Sequence, residues 1–161
     1  MANPVEWSIL EAFRTTIAAA TTAGGYNFDL TGTDQVVVGE APFGPDLLPF
    51  VAIAFGGNRT EHGPRLGQYK PTTTVIIGAM AAYTADTPAS RTQAVLQLGY
   101  DIRRALELAR NDPGSTLMAL VLDLIVTSEA DLVGDEPEMD QQYAKIAITV
   151  EVYRQRNAGA A

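Results

Sequence analysis

The sequence predicts an α+β fold: a mostly antiparallel sheet of about four to five strands, with two main helices packed on one face. Three observations carry this. Two segments repeat apolar residues at helical spacing, one near each end of the first two thirds. A segment near the C-terminus alternates apolar and polar residues with period two. The order of elements is helix, strands, helix, strands, without the regular strand–helix alternation of a parallel sheet.

The first helix is expected from Asn3 onward. Asn3 is a good N-cap, Pro4 suits the first helical position, and Glu6 stands where a capping box places it. Ile9, Phe13 and Ile17 recur every four residues, flanked by Val5 and Ala20. Gly24 and Gly25 end the stripe. Trp7 falls in this segment and reads as core or as a contact within an assembly, with ligand binding as the other option. Residues 26–50 are rich in glycine and proline, and only Gln35 to Val38 reads as a strand there.

Two stronger strands follow, Phe50 to Phe55 and Pro71 to Tyr83. The stretch Gly56 to Lys70 between them carries glycines at 56, 57, 63 and 67 and reads as a long hairpin loop. Gly78 suggests a bulge or a bend in the second strand. Thr87-Pro88 opens the second helix, and Ser90 with Gln93 offers a capping box. Ala94, Leu98, Ile102, Ala105, Leu106 and Ala109 form its apolar face, and Asn111-Asp112-Pro113-Gly114 ends it. Leu117 to Leu132 fits either a helix or a buried strand. The clustered β-branched residues favour a strand from about Leu120 to Ser128. Ala144, Ile146, Ile148, Val150 and Val152 alternate with Lys145, Thr149, Glu151 and Tyr153 in the last strand. One domain over 1–156 with a flexible tail at 157–161 is expected.

Composition excludes several chemistries. The 161 residues contain no cysteine and one histidine, which removes disulfides, thiolate metal sites, a cysteine nucleophile and any multi-histidine metal site within one chain. A net charge of −8 argues against an ordinary nucleic-acid reader, which needs a basic face. The N-terminus lacks the basic start and apolar run of a signal peptide, and the longest strongly apolar stretch, Leu117 to Val126, is interrupted by Asp123. Synthesis in a cytoplasm and no membrane association are the expectation.

Catalytic motifs are also lacking in the sequence. No nucleophile elbow, phosphate loop or dinucleotide fingerprint occurs. His62 follows Glu61 and could be half of a catalytic pair, but the simpler reading is an exposed loop histidine. Asp135 to Asp140 has a calcium-friendly composition without the EF-hand spacing or its glycine. Neither a cofactor nor a metal is expected, and no enzyme.

What remains is the charge distribution. Glu129 to Asp140 holds six acidic residues and no lysine or arginine. Gly56 to Lys70 holds Arg59, Arg65 and Lys70 against Glu61 alone. Two solubilising surface loops would explain this. So would a head-to-tail contact in which the basic loop of one subunit meets the acidic loop of the next, closing a ring.

The sequence resembles the tail terminator (tail completion) proteins of tailed bacteriophages. The resemblance rests on Val5-Glu6-Trp7-Ser8-Ile9-Leu10-Glu11-Ala12-Phe13 running into Ala23-Gly24-Gly25-Tyr26, then Pro49-Phe50-Val51-Ala52-Ile53 and the strand Thr72 to Ile77. Tyr100-Asp101-Ile102-Arg103-Arg104-Ala105-Leu106 and Ile148-Thr149-Val150-Glu151-Val152-Tyr153-Arg154 complete it. It spans roughly Val5 to Arg156, and Phe28 to Phe50 is longer and richer in proline than compact members suggest. The resemblance implies a non-enzymatic virion protein of the tail or neck. It would assemble as a homohexamer ring, cap the tail tube and present a surface to the head-completion protein, while DNA passes through the lumen without sequence-specific binding. It implies contact surfaces at hairpin loops and sheet edges: Arg59, Arg65 and Lys70 on one side, and Asp135, Glu136 and Glu138 on the complementary side or in the lumen. A head-closure or tube-like protein is the alternative, and a small-molecule domain near Trp7 and His62 a more distant one.

Overall fold

The computed structural model describes residues 2–39, 48–62, 69–84, 86–132 and 142–154. The elements run α1 (Val5–Ile17), β1 (Val36–Val38), β2 (Phe50–His62), β3 (Tyr69–Ala82), α2 (Ser90–Arg110), β4 (Val121–Asp131) and β5 (Tyr143–Arg154). The five strands form one sheet in the order β1-β2-β3-β5-β4. Only the short β1–β2 pair is parallel; the other three pairings are antiparallel. The α+β fold expected from the element order is present.

α2 connects β3 to β4, and β5 then returns between them. Both helices lie on the same face of the sheet, with α2 against β3, β4 and β5 and α1 against β1, β2 and α2. The alternation of β5 shows why. Ala144, Ile146, Ile148, Val150 and Val152 are buried under the helices, while the residues between them are only half-buried. β3 contributes Thr73, Val75, Ile77, Ala79 and Ala81 to the same layer. From the helices come Ile9, Phe13 and Ile17 of α1 and Leu98, Ile102 and Leu106 of α2. Each large aliphatic or aromatic side chain removed from water in this layer contributes about 1.5–3 kcal/mol.

Several local expectations need correction. α1 is capped at Pro4 with no side-chain cap, and the Pro4 carbonyl accepts from Trp7 N at 3.1 Å. Glu6 is therefore not a capping-box partner; it is drawn instead to Arg154. α2 likewise starts after Ala89 without a side-chain cap, and Ser90 Oγ accepts from Thr87 N at 3.1 Å. α1 ends at Ile17, before the glycine pair, because the chain turns at Ala18 to Gly25.

The largest correction concerns the hairpin. β2 does not stop at Gly56-Gly57 but continues to His62, and β3 begins at Tyr69. A bulge between Phe55 and Gly57 absorbs one residue, and Gly57 adopts φ +119° there. A side chain would strain that backbone, so glycine lets the strand pass through a kink rather than end. Thr72, Thr73 and Thr74 then pair with Arg59, Asn58 and Gly57. Gly78, by contrast, is in unbroken register with Ala52 and Ala147 and is not a bulge.

β4 resolves the ambiguity at Leu117 to Leu132 in favour of a strand. It carries two bulges, between Val121 and Asp123 and between Val126 and Ser128. No helix among the described residues is long and apolar enough to cross a membrane.

Candidate assembly surfaces

The covered side of the sheet is fastened by charge. Three arginines of α2 reach acidic residues of β4, with the helix and strand running in opposite directions. Arg91 Nη1 lies 2.8 Å from Asp131 Oδ2, and its Nη2 donates to the Leu132 carbonyl at 3.1 Å. Arg103 Nε lies 2.6 Å from Glu129 Oε1. Arg110 grips Asp123 with two contacts, Nε to Oδ1 at 2.6 Å and Nη2 to Oδ2 at 3.1 Å. A paired guanidinium–carboxylate contact of this kind fixes geometry as well as charge. The hydrogen bond from Arg110 holds the Asp123 carboxyl below its ordinary pKa, against partial desolvation that acts the other way. Arg110 is correspondingly pushed up, first by its hydrogen bond to Asp123 and then by the charge of that carboxylate. Glu129 and Asp131 thus find their counter-charges within the chain, although no basic residue stands near them in sequence.

Of the residues expected at subunit contacts, Arg59 and Lys70 are described, on the paired strands β2 and β3. Arg59 belongs to β2, not to a loop, and its Nη2 lies 3.2 Å from Glu151 Oε1 of β5. Lys70 lies at the start of β3, its backbone in register with Glu61. His62 ends β2 opposite Tyr69. Arg65, Asp135, Glu136 and Glu138 lie outside the described residues. Trp7 is 44% exposed on α1, so it is not a core residue.

Beside Trp7, Glu6 organises a junction between the N-terminal helix and the ends of the sheet. Its Oε1 accepts from Arg154 Nη1 at 2.8 Å and from Asn58 Nδ2 at 3.0 Å. Asn58 Oδ1 in turn accepts from Thr73 Oγ1 at 2.8 Å. These contacts tie α1 to β2, β3 and β5 just beyond the glycine bulge.

The other face of the sheet has no helix against it among the described residues. Its middle holds Ala52, Ala54, Ile76, Gly78 and Ala147, with Thr149 beside Ile76, Met80 beside Lys145, and Ile125 beside Glu151 on the β4 side. Ile76 and Ile125 are 41% and 43% exposed. At the end away from Lys145, Arg59, Glu151 and Tyr153 come together.

Both edges of the sheet are also open among the described residues. β4 pairs only with β5. β1 covers β2 only opposite Val51 to Ile53, leaving the rest of β2 uncovered on that side. Between α2 and β4 runs a groove of about 440 Å³, lined by Arg103, Glu107 and Arg110 and by β4 from Leu124 to Glu129.

One organising residue was hidden in the sequence. Asp101 lies on the buried face of α2 and is 1% exposed. Its carboxylate accepts from Asn27 N at 3.0 and 2.9 Å, from Asn27 Nδ2 at 2.8 Å and from Phe28 N at 2.9 Å. One turn further along, Arg104 donates to the Gly25 and Gly24 carbonyls and lies over the Tyr26 ring at 4.7 Å. The Gly25 backbone has φ +87°, and a Cβ there would come within 3.0 Å of the Arg104 guanidinium. The pair therefore moors the turn at residues 24–28 to the middle of α2. The available signal was an aspartate inside an apolar helical stripe, three residues after Leu98 and four before Ala105.

No known family model matches the chain, and no curated protein matches it. Among solved structures, it is similar to a chain of a structure described as "Virion of native gene transfer agent (GTA) particle". The two share 13% identity with a TM-score of 0.48, over 95% of this chain and 98% of the other. At that level the likeness carries no argument about function.

Proposed function

We propose that this chain is a structural virion protein that caps a phage tail tube as a homohexamer ring, ending tube growth and forming the interface to the head or neck. The sequence resemblance from Val5 to Arg156 suggests the role. The observation that supports it best is the sheet itself, with one face packed by helices and the other apolar and open at Ala52, Ala54, Ile76 and Ala147. A second support is that the sheet ends in an uncovered strand on both sides among the described residues, which suits a head-to-tail contact that closes on itself.

In this reading the partners are other copies of the chain, the tail tube protein and the head-completion protein. DNA passes through the lumen without being read. A hexamer multiplies the net charge of −8 sixfold, and an acidic ring repels phosphates. Arg59, Arg65 and Lys70 face a neighbour, with Asp135, Glu136 and Glu138 as their complement or lining the lumen. Arg59 must then share its charge between that neighbour and Glu151.

Mixing the purified protein with growing tail tubes tests the reading. Electron micrographs should show closed rings at tube ends, and tube lengths should stop increasing. Tubes that grow unchanged in its presence would reject the capping role, and unlimited filaments of the protein alone would favour a tube-like protein instead.

A further inference from the structure

Phe55 is 51% exposed, although its register partner Val75 is fully buried. Because partners in register share a face, Phe55 stands on the helix-covered face but beyond the cover the helices give. It also precedes the bulge, on the part of β2 that β1 leaves unpaired. At the opposite edge, the groove between α2 and β4 lies on that same face. Its lining mixes Leu106, Leu124 and Val126 with Arg103, Arg110, Glu107 and Glu129. Leu124 and Val126 are in register with the buried Val152 and Val150, which fixes the side they occupy.

Strand directions relate the two edges. β2 is antiparallel to β3, β3 to β5 and β5 to β4, so β2 and β4 run in opposite directions. In a cyclic ring whose axis follows the strands, each neighbour keeps the same strand direction. β2 of one copy then meets β4 of the next as an antiparallel pair, and the helix-covered faces stay on the same side. An exposed aromatic at one edge is thereby brought to the arginine-rimmed groove at the other.

We infer that Phe55 of one copy seats in the α2–β4 groove of the next, with β2 pairing along the outer edge of β4. The inference rests on the ring reading and names the contact that closes it. Burying an exposed phenylalanine beside two arginines supplies the apolar anchor typical of interface centres, and the guanidinium planes can face its ring. The β4 bulges would shield its edge from indiscriminate pairing, so the side-chain anchor selects the register.

The chain has no cysteine, so engineered thiols report this contact without background. Phe55→Cys and Thr127→Cys variants of the full chain are prepared separately, assembled together alone or on purified tail tubes, and treated with a short thiol–thiol cross-linker. Thr127 lines the groove; Thr15→Cys on the exposed side of α1 replaces it in a control. A dimer is expected from Phe55→Cys with Thr127→Cys, and not from Phe55→Cys with Thr15→Cys. Phe55→Glu is expected to abolish rings while leaving the thermal unfolding of the subunit unchanged. Rings of the two cysteine variants that yield no such dimer, or Phe55→Glu rings that still close, would overturn the inference and leave the ring reading standing. A wild-type chain that forms no ring, alone or on tubes, would overturn both.

Discussion

The two faces of the sheet are made from the same strands yet follow different rules. Ile77 is fully buried beneath the helices, and its neighbour Ile76 is 41% exposed on the opposite face. Along β5 the same division separates Ile146, Ile148 and Val150 from Lys145, Ala147 and Thr149. Large branched side chains occupy the covered positions because folding a single chain depends on filling that layer. The open positions mix small residues such as Ala52, Ala54, Gly78 and Ala147 with Ile76, Lys145 and Thr149. Stability of the subunit therefore resides mainly on the covered face.

Substitutions at adjacent positions should break this comparison most clearly. Ile77→Ala removes fully buried methyl groups and should lower unfolding free energy by about 2–5 kcal/mol in chemical denaturation. Asp101→Ala leaves the Asn27 and Phe28 amides without their acceptor and should cost about 1–3 kcal/mol. Hydrogen exchange at residues 24–28 should rise in that variant before the sheet is affected. Ile76→Ala should change stability by no more than about 0.5 kcal/mol. Its effect should appear in assembly instead, as a weaker ring measured by light scattering at falling concentration. Equal destabilisation by Ile76→Ala and Ile77→Ala would remove the distinction between the faces.

The smallest effect concerns pH. Asp123 has its carboxyl pKa lowered by the Arg110 hydrogen bond, so the folded state binds its proton less readily than the unfolded chain. That contribution is present above the ordinary carboxylate range and is lost as pH falls through the lowered value. Asp123→Asn should therefore be slightly less stable than wild type near neutrality, and the two should converge in acid. The exposure of the pair keeps the difference small. A gap that persists in acid would point to packing rather than charge.

Much of the covered face was legible from sequence. The spacing of Ile9, Phe13 and Ile17, the stripe on α2 and the alternation of β5 each identify a buried side without knowledge of the partner. The fold class followed from their order. Three things were less accessible. Gly56 and Gly57 read as the end of a strand, since sequence does not tell a glycine that stops pairing from one that kinks it. Glu129 and Asp131 read as part of an unpaired acidic stretch, because their arginines lie on α2, separated by the whole turn after Arg110. Asp101 read as unremarkable, since its partners at Asn27 and Phe28 are brought near only by tertiary folding. Local pattern reports which side of an element is buried; it does not report which distant groups meet there.

The candidate contact residues divide in the same way. The sequence marked Arg59 as part of a basic loop, and it is found in a strand, bonded to Glu151. Reversing Arg59 and Arg65 to Glu should weaken ring formation, and Lys at positions 136 and 138 should restore it, if the charged segments meet across a subunit boundary. Unchanged assembly after the first reversal would remove charge pairing while leaving the Phe55 contact in place.

The most direct test of the central claim is the assembly state of the purified wild-type chain, measured by light scattering and electron microscopy with and without tail tubes. The account predicts closed rings of a single size that sit at tube ends and halt growth. A chain that stays monomeric at every concentration and leaves tubes growing would contradict it.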